Sequence, residues 1–148
     1  MPKELATFLM SMLPITELRA SIPVAILKYN LTPFSAFFWS VLGNTLLGAL
    51  TIMLVGPATK FIIEKNDILD KVWKKYIGRL QNKHKEKFDK WQSWAIVSFV
   101  AIPLPMTGAF SGAVAASIFK IDARKAIPLI FLGCCISGTI VTFITLVF

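Results

Sequence analysis

Charged residues are scarce in this chain of 148 residues, at 16%, against about 25% in an ordinary soluble domain. Three long segments carry no charge at all: residues 34–55, 95–119 and 126–148. Each exceeds the roughly 20 residues that a helix needs to cross about 30 Å of hydrocarbon. With a mean hydropathy of +0.67, residues 1–148 are predicted to form a single membrane domain.

Residues suited to catalysis or metal binding are equally few. The chain has one histidine, His84, and two cysteines, Cys134 and Cys135. Neighbouring cysteines do not easily form a disulfide with each other, so these two are expected to be small packing residues. Because there is no nucleophile–base constellation, metal-ligand cluster or phosphate-binding loop, we expect no enzyme, no metal and no cofactor.

Positive charge is concentrated in the middle of the chain. The net charge is +8, and ten lysines and arginines lie between Lys60 and Lys90. A basic stretch can bind nucleic acid, but this one joins two apolar halves, and the positive-inside rule explains it better. We therefore expect no nucleic-acid partner, and residues 59–92 are predicted to be the cytoplasmic connector of a multi-pass protein in the cell membrane.

The connector has a helical apolar pattern, carried by Ile62, Leu69, Trp73, Tyr76 and Leu80. Such a pattern is typical of an amphipathic helix or helix pair. Its basic side chains would face the anionic lipid headgroups of the bilayer surface. The alternative is a solubilising linker with an aromatic belt.

Two charges interrupt the apolar run of residues 5–27: Glu17 and Arg19, between Pro14 and Pro23. Each charge costs roughly 2.5–3.5 kcal/mol to insert at the centre of a bilayer. Such residues face a protein interior or a wet cavity, and they mark substrate or ion paths. Both prolines are expected to act as loop breakers, which predicts a broken, polar-centred membrane element.

The spacing of Glu17 and Arg19 argues against direct pairing, because residues two apart do not share a face of a helix or of an extended chain. Each is expected to find another partner: a backbone nest, a side chain of the other half, or substrate. Arg19 offers a fork of donors suited to phosphate or carboxylate, and a desolvated Glu17 could carry a proton. The alternative is structural, with both residues holding this segment against the second half.

A second broken segment, residues 102–112, has no charge but contains two further loop breakers, Pro103 and Pro105. The hydroxyls of Thr107 and Ser111 are candidate ligands for substrate or an ion. A half-helix starting near Thr107 would aim its free N–H groups at the centre of the protein, which suits an anion.

Two further residues, Gly108 and Asn44, each have two interpretations. Gly108 permits close backbone approach to a ligand, but with Gly112 it also forms a small-xxx-small pattern typical of helix packing. Asn44 is the most polar residue of its apolar segment. It is expected to make an interhelical hydrogen bond, and lining of a pore is the alternative.

The chain resembles itself when it is shifted by 90 residues. Identical residues then coincide at Ser21/Ser111, Val24/Val114, Ala25/Ala115, Leu42/Leu132, Gly43/Gly133 and Gly48/Gly138. Thr32 and Asp122 also align, each as a helix N-cap. We interpret this ungapped match as an internal duplication, with repeat one at residues 5–56 and repeat two at residues 94–148; chance likeness of two apolar sequences is the alternative.

Two topologies fit this pattern. If every apolar segment crosses the bilayer, Lys120, Arg124 and Lys125 lie on the external side of the membrane, against the positive-inside rule. If the broken segments are re-entrant, each half crosses once and these residues stay inside. The predicted fold is therefore an all-α integral membrane protein with two inverted repeats, each a proline-broken re-entrant segment plus a transmembrane helix, joined by the connector. Because so small a protein would expose re-entrant backbone, we expect a homodimer or higher homo-oligomer.

Both broken segments resemble the small multidrug-export family of prokaryotic membrane proteins. The first carries its Pro-x-x-Glu-Leu-Arg-small-x-x-Pro signature at residues 14–23, and the second its Ile-Pro-Leu-Pro-Gly-Thr-Gly-Ala-Trp-x-Gly-Ala signature at residues 102–113. Two residues depart from the second signature: Met106 stands for glycine and Phe110 for tryptophan.

That family is similar in turn to the DedA/VTT superfamily, whose members have paired re-entrant loops. Some of them translocate lipid-carrier phosphates or scramble phospholipids. By position, the resemblance implies that Glu17 and Arg19 are the acidic and basic residues of the first loop.

The resemblance and the charged pair together favour an ion-coupled transporter or exporter of a small amphipathic or anionic substrate, lipid phosphates included. Arg19 would engage the anionic group, and Glu17 would carry a proton or stabilise the site. The alternative is a non-transporting membrane organising or assembly protein that acts through the basic connector.

Overall fold

The structure, a computed structural model, describes residues 1–79, 85–105 and 107–148, with the backbone alone for residues 85–88. These residues form helices and no strand, which confirms the predicted all-α class. In chain order the helices are α1 (Lys3–Ser11), α2 (Glu17–Leu27), α3 (Pro33–Lys65), α4 (Asp67–Trp73), α5 (Lys85–Ala101), α6 (Ala109–Ile118) and α7 (Ala123–Val147), with a π-helical turn, Lys74–Gly78, after α4.

Two helices, α3 and α7, are long and apolar enough to cross a membrane. Their 33 and 25 residues correspond to about 50 and 38 Å, more than the roughly 30 Å of hydrocarbon in a bilayer. Only 28% and 33% of their most apolar stretches are buried inside the protein. A helix at the core of a soluble protein would be covered on most sides, so these apolar faces are suited to lipid.

The two long helices begin with the side-chain caps that the sequence predicts. Thr32 Oγ1 accepts a hydrogen bond from the Ser35 N–H at 3.3 Å. Asp122 Oδ1 accepts one from the Arg124 N–H at 3.4 Å. Each cap satisfies an N–H group that has no partner within the helix, and this fixes where α3 and α7 start.

The turns before the two long helices also have the same backbone shape. Asn30 and Lys120 each have a φ of 55°, in the left-handed region that few residues other than glycine and asparagine adopt readily. They are 90 residues apart, and so are the first residues of the following helices, Pro33 and Ala123. The offset found in the sequence is therefore repeated in the fold.

Glycines let neighbouring helices approach closely at the centre of the protein. A Cβ added at Gly43 would overlap α1 at Phe8, and one added at Gly133 would lie 2.7 Å from Val100 Cβ on α5. Gly43 therefore admits α1 against α3, and Gly133 admits α5 against α7. Because these glycines are also 90 residues apart, each half packs its preceding helix against the same point of its long helix.

Pro23 does not break the chain, contrary to the prediction. It lies inside α2, where its missing N–H removes one hydrogen bond, to the carbonyl of Arg19. Complete burial of the adjacent Ile22 holds the helix together in spite of this loss. The other predicted loop breakers, Pro14, Pro103 and Pro105, lie in two irregular segments: the first break (residues 12–16) and the second break (residues 102–105 and 107–108).

The connector contacts the second half through Trp73. Its indole Nε1 donates to the Ile118 carbonyl at 2.9 Å, and the Lys120 ammonium lies 4.0 Å from the centroid of its ring. These contacts fix the end of α4 against the turn between α6 and α7. The expectations for Leu80 and His84 fall outside the described residues.

Gly133→Ala should weaken the contact between α5 and α7, because the new Cβ would overlap Val100. We expect a loss of about 1–3 kcal/mol in the free energy of unfolding, seen as a lower Tm of the purified protein in detergent. Gly56→Ala is the matched control, since its Cβ would lie 3.6 Å from Ser117 Oγ, an ordinary contact. Equal losses in both variants would contradict the packing role of Gly133.

Candidate functional site

The two breaks meet at the centre of the protein through Glu17. Its carboxylate lies against Gly108, so that a Cβ added there would overlap both carboxylate oxygens. Glu17 is 2% exposed, and its carboxylate also faces the backbone N–H of Phe110 in the first turn of α6. A helix N-terminus stabilises negative charge. Glu17 therefore occupies the place that the sequence predicts for an external anion.

Arg19, two residues after Glu17 in α2, completes this contact. Its Nη2 lies 3.2 Å from Glu17 Oε2, and its Nη1 donates to the Leu104 carbonyl in the second break. The prediction that Glu17 and Arg19 do not pair is therefore wrong. Glu17 has a φ of 48°, so the spacing rule for regular helices does not apply. Each residue is also expected to find another partner, in a backbone nest, a side chain of the other half or substrate. The further partners here are backbone groups of the second half: the Leu104 carbonyl for Arg19 and the Phe110 N–H for Glu17.

The first break holds Glu17 in a strained conformation. A left-handed backbone costs an ordinary residue about 1–2 kcal/mol. Hydrogen bonds fix the segment: the Glu17 N–H donates to the Leu13 carbonyl at 2.9 Å, and the Thr16 hydroxyl donates to the Met10 carbonyl at 2.6 Å. Strain of this kind persists only where the surroundings enforce it, and it concentrates at functional sites.

Thr107 shapes the second break instead of facing the cavity. Its hydroxyl lies 2.7 Å from the Ile102 carbonyl and 2.8 Å from the Leu104 carbonyl. It also accepts a hydrogen bond from the Leu104 N–H at 3.2 Å. These contacts hold the turn that presents the Leu104 carbonyl to Arg19. The helix predicted near Thr107 begins at Ala109.

A cavity of about 620 Å³ lies between the two breaks. Pockets of this size hold small-molecule ligands. Its lining residues are Pro14, Ile15, Thr16, Arg19, Ala20, Pro105, Phe110 and Ser111. Two predicted site residues, Arg19 and Ser111, line it directly, whereas Glu17 and Gly108 form the contact to which Arg19 is anchored.

Sequence reasoning missed Thr16 and Phe110 as cavity residues. Thr16 directly precedes the charged pair, and Phe110 stands at a position of the second family signature. Their closeness to these motifs is the sequence signal that could have marked them as candidate site residues. Met106 lies outside the described residues. The departure at this position therefore has no structural account.

Asn44 lies away from this cavity. Its Nδ2 donates to Cys134 Sγ at 3.7 Å, which confirms the expected interhelical hydrogen bond, between α3 and α7. Gly112 lies against α5, because a Cβ there would overlap Val100. The helix-packing interpretation is therefore confirmed for Gly112, whereas Gly108 gives close approach to a carboxylate.

Residues 17–140 match the family described as "putative small multi-drug export protein". The chain belongs to this family. The match covers the Glu17–Arg19 pair, the second break and the connector. Together with the apolar faces of α3 and α7, membership of the small multi-drug export family identifies a membrane protein. No curated protein and no solved structure matches the chain.

The contact between Glu17 and Arg19 predicts energetic coupling between the two side chains. Glu17→Gln leaves the guanidinium without its anion, and Arg19→Gln leaves a buried carboxylate without its cation. Each change should lower the free energy of unfolding by about 1.5–3 kcal/mol. The double variant should lose less than the sum, with a coupling of about 0.5–3 kcal/mol, measured by chemical unfolding in detergent.

The matched control for this cycle is the neighbouring pair Lys3 and Glu4, at the start of α1. Lys3→Gln and Glu4→Gln should each have an effect of less than about 0.5 kcal/mol. If the Glu17 and Arg19 effects are strictly additive, the described contact does not contribute to stability.

Proposed function

We propose that the protein is an ion-coupled membrane transporter or exporter whose substrate occupies the cavity between the two breaks. The observation that carries the proposal is the place of Arg19, whose guanidinium lines a cavity with mostly apolar walls. A single cation in an apolar pocket suits an amphipathic molecule with one anionic group, such as a lipid phosphate.

Arg19 keeps hydrogen-bonding capacity for such a substrate. A guanidinium has five N–H donors, and the contacts with Glu17 and Leu104 use one donor each. The remaining donors match the oxygens of a phosphate or carboxylate. Ser111, across the cavity, adds a hydroxyl.

Glu17 supplies the proposed coupling to protons. While it is ionised, its charge neutralises Arg19 and occupies the N-terminus of α6. A proton on this carboxylate would leave the charge of Arg19 without a counter-ion and so favour binding of a substrate anion. In this scheme the proton and the anion bind together, and the loaded site carries no extra charge across the hydrocarbon.

The proposed topology has two re-entrant segments. The 9 and 11 residues of α1 and α2 correspond to about 14 and 17 Å, half of the hydrocarbon thickness. The Phe8 and Trp39 rings are 6.4 Å apart, and the Ser21 hydroxyl donates to the Ser40 hydroxyl at 2.7 Å. Both short helices thus lie along the first part of α3, which supports entry and exit on the side where α3 begins.

We also propose that the two halves are inverted repeats. Asn44 and Cys134 contact each other and are 90 residues apart. A contact between equivalent positions must lie on the axis that relates two repeats. Such pairs of broken helices meeting at the midplane are typical of secondary transporters, and this arrangement supports the likeness to the DedA/VTT superfamily.

A second copy of the chain is proposed to cover the breaks. Ile15 in the first break is 91% exposed, and Leu104 in the second is 55% exposed. Irregular backbone at membrane depth is tolerated only where protein or a wet cavity surrounds it. We therefore propose a homodimer or higher homo-oligomer in the cell membrane, with the connector in the cytoplasm.

Transport should depend on both charges of the pair. In proteoliposomes loaded with fluorescent phosphatidic acid, Glu17→Gln and Arg19→Ala should slow lipid movement by roughly ten- to a hundredfold, the effect of losing one charge-assisted hydrogen bond. Loss of the fluorescence of one leaflet after dithionite addition measures the rate. Lys71→Gln, which removes an exposed charge of the connector, is the control. Wild-type rates in both site variants would overturn the proposal.

The alternative function, a membrane organising protein, is favoured by the fixed position of the connector at Trp73. Deletion of residues 67–89 separates the two functions. A transporter of the proposed kind should keep its flux in proteoliposomes after this deletion. Loss of function in cells with unchanged flux in proteoliposomes would support the organising role.

Cysteine labelling should reveal the proposed topology. After Cys134→Ala and Cys135→Ser, single cysteines at Lys75 and Lys125 should react only from the cytoplasmic side. Cysteines at Leu27 and Phe148 should react only from outside, and a membrane-impermeant maleimide measures this. Labelling of position 125 from outside would instead support four full crossings.

A further inference from the structure

A second concave surface, which we call the basic groove, lies between α3 and the turn that joins α6 to α7. Its volume is about 550 Å³, and its lining residues are Ile52, Met53, Gly56, Pro57, Lys60, Ser117, Lys120, Ile121, Asp122 and Ala123. None of these residues lines the cavity between the breaks. The transport proposal makes no use of this groove.

The basic groove lies at the depth of lipid headgroups. The charge-free part of α3, residues 33–59, corresponds to about 40 Å of helix, enough to cross the roughly 30 Å of hydrocarbon and reach the headgroup layer. The groove covers about the last two turns of this part and continues to Lys60. On the facing side it ends where α7 begins, next to Arg124 and Lys125. Apolar side chains therefore line one end of the groove and lysines the other, as the acyl chains and phosphate of a phospholipid require.

Lys120 is held in the groove by its backbone and its neighbours. Its φ of 55° is unfavourable for lysine, whereas the equivalent position of the first half has Asn30, which tolerates it. The ammonium lies 4.0 Å from the centroid of the Trp73 ring and 3.9 Å from Glu64 Oε1, and its side chain is 25% exposed. A strained lysine that is partly withdrawn from solvent indicates a specific role for its charge.

The opposite end of the molecule has an equivalent groove without charge. It has a volume of about 350 Å³ and is lined by Pro33, Phe34, Phe37, Thr139, Thr142, Phe143 and Leu146. Four of these positions lie 90 residues from positions of the basic groove: Ile52/Thr142, Met53/Phe143, Gly56/Leu146 and Pro33/Ala123. The same concave shape thus occurs twice, and lysines line only one of the two.

Carboxylates near the basic groove do not cancel its charge. Asp122 caps α7 through the Arg124 N–H, and Glu64 faces Lys120. Against these two acids stand four cations at this end: Lys60, Lys120, Arg124 and Lys125.

We propose that the basic groove binds an anionic phospholipid, with Lys60 and Lys120 at the phosphate and the apolar end, at Ile52 and Met53, beside an acyl chain. Basic pockets between membrane helices bind anionic headgroups in this way. The bilayer itself concentrates phospholipid at this depth, which favours a lipid over a soluble phosphate ester. The role of this lipid is to fix α3 to the turn between α6 and α7, independently of transport.

Native mass spectrometry of the protein in detergent, titrated with phosphatidylglycerol or phosphatidylcholine, tests this proposal. The wild type should retain phosphatidylglycerol in preference. Lys60→Gln and Lys120→Asn should each weaken phosphatidylglycerol binding by about fivefold and leave phosphatidylcholine binding unchanged. Asparagine is chosen at position 120 because it accepts the left-handed backbone, as at Asn30.

Two further variants serve as controls. Lys71→Gln removes one charge from the connector outside the groove and should bind phosphatidylglycerol like the wild type. Lys120→Arg keeps the charge and should do the same. Lys60→Gln keeps the contact between Lys120 and the Trp73 ring, so its effect cannot arise from loss of that contact.

The proposal is overturned if Lys60→Gln and Lys120→Asn retain phosphatidylglycerol as the wild type does, or if Lys71→Gln loses it equally. It is also overturned if inorganic phosphate raises the Tm of the wild type as much as phosphatidylglycerol does. That result would assign the groove to a soluble ligand.

Discussion

The structure depends on one buried negative charge, that of Glu17. Its carboxylate lies against Gly108, faces the Phe110 N–H and pairs with Arg19 at 3.2 Å. A carboxylate is costly in an apolar surrounding unless several groups stabilise it. Here the stabilising groups come from both halves, Arg19 in α2 and the start of α6 with the preceding Gly108, so the two halves must dock correctly before the charge can be accommodated. This requirement fixes the position of α6, the second break and the cavity beside them.

Much of the scaffold could be predicted because its causes are local. The charge-free segments predict α3 and α7, and Thr32 and Asp122 predict where these helices begin. The meeting of the two breaks was also predictable, because charges in an apolar segment need partners and their own segment offers few. The 90-residue offset in the sequence also separates the starts of α3 and α7 and the turns before them. The correspondence between these parts of the two halves could therefore be predicted from the sequence as well.

The details of the site could not be predicted, because they depend on exceptions to local rules. Glu17 pairs with Arg19 because its left-handed backbone removes the geometry that the i, i+2 rule assumes. Pro23 stays inside α2 because packing outweighs one missing hydrogen bond. The cavity is formed by both halves at once, so closeness to the motifs could draw attention to Thr16 and Phe110 but could not place them in one cavity.

The buried charges belong to one half of the chain alone. At the 90-residue offset, the counterpart of Glu17 is Thr107 and that of Arg19 is Ala109. Both counterparts lie next to Gly108, which the Glu17 carboxylate already contacts. A second carboxylate here would stand beside the first, and two adjacent carboxylates cannot both stay ionised in a desolvated site. A neutral hydroxyl that is bonded within its own loop avoids this conflict.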